Sequence, residues 1–112
     1  MIKMSQADYL KAFARLSEEE LTLTEKKNSD YAGSSDAFLN FNLVESITSG
    51  KITAEMGMLV RLSDKFQRIA NLLFRDAMVT DEKLEDTLMD NAVYSKILLI
   101  YLQEKKRQSE IK

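Results

Sequence analysis

The sequence predicts an all-α fold, an antiparallel bundle of about four helices. Two observations carry this expectation. The 112 residues include no proline and only three glycines, so few points interrupt a long helix. Between those points apolar side chains recur at helical spacing. Gly33 and Gly50 fall at breaks between periodic segments, and Gly57 lies inside one. The length fits one domain over residues 1–112 with a modest core.

The first helix is expected from about Gln6 to Asn28, with Ser5 as its N-cap and Asp8 where a capping-box acid stands. Tyr9, Phe13, Leu16 and Leu23 form its apolar stripe. The second is expected from Asp36 to Ile47 after a Ser34–Ser35 cap, with Phe38, Phe41 and Val44 or Glu45 on one face. The third starts after Thr53 and runs to about Arg75. Its expected core stripe includes Met56, Leu59, Val60, Ser63, Phe66, Ala70 and Leu73. The fourth starts after Thr80 and runs to about Lys106, with Leu84, Leu88, Ala92, Leu99 and Leu102 inward and Ile97, Ile100 and Tyr101 widening the stripe. The closing KKRQSEIK reads as a frayed, solvated end, and Glu18, Glu19 and Glu20 as a solvated face.

Composition excludes several chemistries. Without cysteine there is no disulfide framework and no thiol nucleophile. Without histidine, Ser-His-Asp catalysis is ruled out, and with cysteine absent too a zinc or haem site is not expected. Any metal has to be a hard cation on carboxylates, Mg²⁺ or Mn²⁺. A formal net charge of −2 gives no strong nucleic-acid signal. No apolar run reaches the roughly 18 residues of a membrane span, and the N-terminus lacks a signal-peptide core. The expectation is a cytoplasmic protein, in the host cytoplasm if phage-encoded.

Polar residues interrupt the inward stripes of the last two helices. Asp81 and Glu82 suit a first helical turn, where the macrodipole favours anions. Asp86 and Asp90 lie deeper and share a face that continues through Val93, Tyr94, Ile97 and Tyr101. Carboxylates on such a face need a nearby cation, either a metal or an Arg or Lys; otherwise the face tilts to solvent there. Arg61, Asp64, Lys65, Arg68, Asn71 and Arg75 follow at offsets 0, 3, 4, 7, 10 and 14. They form a solvated stripe with internal pairs such as Asp64–Arg68, or a bundle interior with Mg²⁺ between Asp64 and the Asp86/Asp90 pair and basic groups on phosphates.

Residues 27–41, KNSDYAGSSDAFLNF, are richer than a helix-to-helix turn needs. Their Lys-Asn-x-Asp-Tyr and Phe-x-Asn-Phe motifs precede Arg-x-x-Asp-Lys-x-x-Arg at 61–68 and Glu-Asp-x-x-x-Asp-x-x-x-Tyr at 85–94. In this order, over roughly residues 20–102, the set resembles nucleotide modification associated domain 1 of phages and bacteria. That domain is similar to the all-α nucleoside triphosphate pyrophosphohydrolases, the MazG-like and dimeric dUTPase-like bundles. The resemblance implies a MazG-like fold holding a nucleotide through Mg²⁺ (or Mn²⁺). It implies Asp64, Asp86 and Asp90 as metal ligands and Asp64 and Glu85 as catalytic carboxylates. Lys27, Asp30, Tyr31, Asn40, Arg61, Lys65, Arg68 and Tyr94 are then substrate contacts. Tyr31 stacks on a base or meets a ribose, and Asn40 reads a base edge. Alternatively the Asp and Asn satisfy local backbone groups; Phe38 and Phe41 read as core. The sequence departs from the MazG pattern in that no clear Glu-x-x-Glu helix precedes the acidic pair, which bears on catalysis more than on binding.

Three functions follow. The first is an Mg-dependent hydrolase that turns a (d)NTP or modified nucleotide into a nucleoside monophosphate and pyrophosphate. The second is a nucleotide-binding or sequestering protein without turnover, acting in phage–host conflict. The third is a helical protein-interaction domain. A homo-oligomer, dimer or tetramer, is an expected partner state: superfamily relatives assemble so, and Met and apolar side chains on the last helix suit such an interface.

Overall fold

Ser5 opens the first helix as its cap. Its Oγ accepts the N–H of Asp8 at 3.1 Å and its carbonyl accepts that of Tyr9 at 3.0 Å. The computed structural model describes residues 1–31, 36–74 and 81–111, with the side chains of 28–31 and 81–83 outside the description. Four helices fill it: α1 (Gln6–Tyr31), α2 (Leu39–Ile47), α3 (Ala54–Phe74) and α4 (Asp81–Ile111). Among the described residues there is no strand, so the fold is all-α. The chain forms two units, Met1–Ala37 with α1 and Phe38–Lys112 with α2, α3 and α4.

On α1, Tyr9, Phe13 and Leu16 of the expected core stripe are exposed, and Leu23 is half-buried. Glu18 and Glu19 are solvated as expected, but Glu20 is buried. Glu20 sits four residues after Leu16 and three before the half-buried Leu23.

The second unit is organised by the α2–α3 corner. The expected Ser34–Ser35 cap of α2 lies outside the described residues; α2 begins later, at Leu39, after a turn at 37–38. Its C-terminus closes with paired bonds, Gly50 N–H to the Glu45 carbonyl (2.8 Å) and Ser49 N–H to the Ser46 carbonyl (3.1 Å). This is the Schellman arrangement, and it places Ser49 (φ 55°) and Gly50 (φ 81°) in the left-handed region. The Thr48 hydroxyl donates to the Val44 carbonyl at 2.9 Å and accepts the Ile52 N–H at 3.0 Å, tying the corner down. Thr53 Oγ1 then takes the N–H of Met56 (3.2 Å), and Glu45 Oε1 takes that of Ala54 (3.1 Å). Two orphan donors of α3 are thereby satisfied, one of them by the preceding helix.

α3 and α4 run antiparallel. Glu55, Arg61 and Lys65 on α3 meet Lys105, Tyr94 and Asp90 on α4 in reverse order. Ala54 and Met58 are fully buried, and Val93 nearly so. α2 lies on α3 where Gly57 leaves room for the Phe41 ring. Phe41 stands edge-on to Tyr94 (centroids 6.4 Å apart) and Phe38 edge-on to Tyr101 (5.2 Å).

The inward faces differ from the expected ones. On α3, Ala54, Met58, Leu62, Lys65 and Ile69 are buried or half-buried, while Met56, Leu59, Val60, Phe66 and Leu73 are exposed. On α4, Leu84, Thr87, Val93, Tyr94, Ile97, Leu98 and Tyr101 turn inward, and Leu88, Leu99, Ile100 and Leu102 outward. Each helix has two apolar stripes, and periodicity alone does not choose between them. The tail is also more ordered than expected. α4 continues to Ile111, where Glu104 accepts bonds from Arg107 Nε (2.9 Å) and Gln108 Nε2 (3.1 Å).

Candidate functional site

The chemistry-bearing residues of the second unit gather on one flank of the α3–α4 pair, beside α2. Spacing on α3 sets this. Gly57, Arg61, Asp64, Lys65 and Arg68 follow one another by three or four residues, so they share a side of the helix. On α4, Asp86, Asp90 and Tyr94 do the same.

Two contacts join the helices. Lys65 Nζ donates to Asp90 Oδ2 at 3.2 Å, with both side chains largely withdrawn from water. One turn away, Arg61 reaches Tyr94. Its guanidinium carbon lies 5.6 Å from the ring centroid, and its Nη2 donates to the phenolic oxygen at 3.5 Å, the long limit of a hydrogen bond. The Tyr94 hydroxyl, then Asp64 and Asp90, hold the Arg61 guanidinium above its ordinary range. Phe41 backs Tyr94 from α2 and fixes the ring.

The remaining candidates are spread out. Asp64, Arg68, Glu85 and Asp86 are exposed, and the expected Asp64–Arg68 pair does not form among the described residues. Asn40 is exposed in the first turn of α2. Lys27 is half-buried on α1, in the first unit. Asp30 and Tyr31 have backbones in α1, but their side chains lie outside the described residues. Arg75, Asp81 and Glu82 fall outside the side-chain description as well.

Among the described residues no group of three acidic side chains is arranged to hold an ion. Asp90 is engaged by Lys65, and Asp64 and Asp86 do not join it. Asp64 and Asp86 are exposed, and Asp90 meets Lys65. Lys65 is one cationic partner of Asp90.

Three features carried no usable sequence signal. Glu45 caps α3 from nine residues away, and Glu55 pairs with Lys105 at 2.6 Å across fifty residues. Phe41 supports Tyr94 through an inter-helix register that spacing does not reveal. No helix among the described residues is long and apolar enough to cross a membrane. Comparison with protein-family models, with curated proteins and with solved structures finds no match.

Proposed function

We propose that the chain binds the phosphates of a nucleotide on the α3–α4 flank that presents Arg61, Lys65 and Arg68. The observation that carries this reading is the pairing of Lys65 with Asp90 one turn from the Arg61–Tyr94 contact. A guanidinium pre-set against an aromatic ring loses little freedom on gripping an oxyanion, and its fork matches two phosphate oxygens. Lys65, held by Asp90, keeps the two helices in register beneath it, and exposed Arg68 extends the positive edge by two turns from Arg61. Tyr94 supplies a phenolic hydroxyl beside them. Asn40, exposed on α2, offers a donor and an acceptor suited to a base edge. The resemblance to nucleotide modification associated domain 1 supports the same ligand class.

Turnover is the second reading, favoured by the acidic motif at 85–90. An Mg-dependent pyrophosphohydrolase needs Asp90 free of Lys65 and joined by Asp64 and Asp86.

The test is calorimetric titration with nucleoside, mono-, di- and triphosphate, with and without Mg²⁺, alongside a pyrophosphate-release assay. Affinity should rise with phosphate number. Arg61→Ala or Arg68→Ala should weaken triphosphate binding tenfold or more and leave the bare nucleoside unaffected. Mg²⁺-dependent pyrophosphate release moves the assignment to the hydrolase. No binding of any phosphorylated nucleotide removes both readings and leaves a helical protein-interaction domain.

A further inference from the structure

The central cation of the basic stretch on α3 already carries an anion. Lys65 lies four residues after Arg61 and three before Arg68. Seven residues of helix rise about 10 Å, so a phosphate chain gripped by both arginines passes over Lys65. Arg61 and Arg68 are exposed, whereas Lys65 is half-buried and bonded to Asp90 Oδ2 at 3.2 Å. The reach of Asp90 extends beyond its lysine. The Tyr94 hydroxyl first, then the charges of Asp64 and Asp90, raise the Arg61 guanidinium one turn away.

We propose that Asp90 is a built-in competitor at the phosphate site: its carboxylate holds the place of a ligand phosphate on Lys65 and is displaced when one binds. The proposal rests on the phosphate reading above and adds to it what restrains the site before the ligand arrives.

Carboxylate and phosphate offer an ammonium the same kind of charged oxygen acceptor, so the two compete. Sharing is disfavoured, because two anions on one lysine this far from water repel each other with little screening. The flank as a whole is balanced before any ligand arrives, with Asp64, Asp86 and Asp90 set against Arg61, Lys65 and Arg68. An anion of single charge gains little from such a surface. A polyphosphate brings several charges and is held at both ends by the arginines. Asp90, part exposed, meets water when it lets go. Displacement also has a mechanical consequence. Lys65 and Asp90 join α3 to α4, so a bound polyphosphate exchanges a contact between the helices for contacts along α3.

Calorimetric titration of the full chain with inorganic tripolyphosphate, free of divalent metal, tests this. The probe has no base or sugar, so it reads the phosphate flank alone. Asp90→Asn keeps the shape and an acceptor oxygen but removes the competing charge. It should bind tripolyphosphate about tenfold more tightly than the parent. A parent that binds, beside an Asp90→Asn that binds equally or more weakly, overturns the competitor and leaves the phosphate site standing. Binding by neither removes the phosphate reading and the competitor with it. Binding by Asp90→Asn alone supports both. Should Asp90→Asn fail to fold, the carboxyl-carbon resonance of Asp90 in the aspartate-labelled parent decides. Saturating tripolyphosphate should move it toward its position in ligand-free Lys65→Met, where Asp90 has lost its lysine. A resonance that stays in place, or moves the other way, shows that the ion pair survives binding and overturns the proposal.

Discussion

Lys65 on α3 and Asp90 on α4 form a hydrogen-bonded ion pair of 3.2 Å whose side chains are only 13% and 23% exposed. It stands within a turn of Arg61 and Tyr94, so one contact serves both the helix packing and the candidate site. A pair this far from water is worth more than a surface bridge, because removing either member leaves the other charge partly desolvated.

The prediction is non-additivity. Lys65→Met should destabilise the fold by about 1–3 kcal/mol, since it deprives a half-buried carboxylate of its lysine. Adding Asp90→Leu should restore much of the loss, giving a coupling of about 1–2 kcal/mol in urea denaturation. Arg68→Ala, at an exposed position, should change stability by less than about 0.5 kcal/mol. Additive losses for Lys65 and Asp90 would show that the pair is a surface contact after all.

Gly57 is a packing residue by its surroundings. A Cβ there would meet Phe41 Cδ1 at 3.4 Å, an ordinary van der Waals contact. Gly57→Ala should therefore gain the helical advantage of alanine and stabilise by about 0.5–1 kcal/mol. Gly57→Leu cannot be housed without moving Phe41, and with it the ring behind Tyr94. It should destabilise by about 1–3 kcal/mol and weaken nucleotide binding together. Thermal melts of the two variants in opposite directions confirm the close approach; two melts shifted the same way contradict it.

The Glu55–Lys105 pair ties the start of α3 to the end of α4, and it sets a pH window. The hydrogen bond from Lys105 holds the Glu55 carboxyl below its ordinary value, and Glu55 holds the Lys105 ammonium above its own. The lowered carboxylate contributes stability that is present above the unfolded-state pKa of about 4.3 and lost as pH falls through the folded value. The raised ammonium contributes stability that is present below about 10.4 and lost as pH rises through its folded value. Glu55→Gln should make both limbs of the stability–pH profile shallower, leaving on the acid side the part that Glu104 contributes through Arg107 and Gln108. An acid limb as steep as the parent's would show that Glu55 contributes nothing to it.

The helices were legible because Pro is absent, Gly is rare and apolar spacing is regular; Ser5, Thr53 and the start of α4 were found within a residue or two. The inward faces were not. Met58 and Ile69 compete with Leu59 and Phe66 for the inner side of α3, and only the register against α4 decides. The same register hands Asp90 to Lys65 and Tyr94 to Arg61. Spacing had placed these groups on facing stripes without pairing them. KKRQSEIK looked frayed because charge was read without its (i, i+3) and (i, i+4) partners, Glu104 with Arg107 and Gln108.

Ser49 carries the last prediction. It occupies the first position past the C-cap of α2, in the left-handed region at φ 55°, where its Cβ crowds the following carbonyl. Glycine is the usual occupant because it has no Cβ. Here the glycine stands one place later, at Gly50, itself at φ 81°. The chain thus holds a strained serine between Thr48, whose hydroxyl ties the corner, and Gly50, whose N–H closes the helix on the Glu45 carbonyl. Ser49→Gly should relieve roughly 1 kcal/mol of left-handed strain, offset in part by the greater freedom of glycine in the unfolded chain. The net expectation is a gain of about 0.5 kcal/mol. Ser49→Val adds β-branching at the same φ and should cost about 1–2 kcal/mol. Because Glu45 also caps Ala54, loosening this corner should fray the start of α3 first. Hydrogen exchange in Ser49→Val should accelerate at Ala54 and Met56 before it does at Leu62. Uniform acceleration along α3 would mean that the corner is no more than a linker.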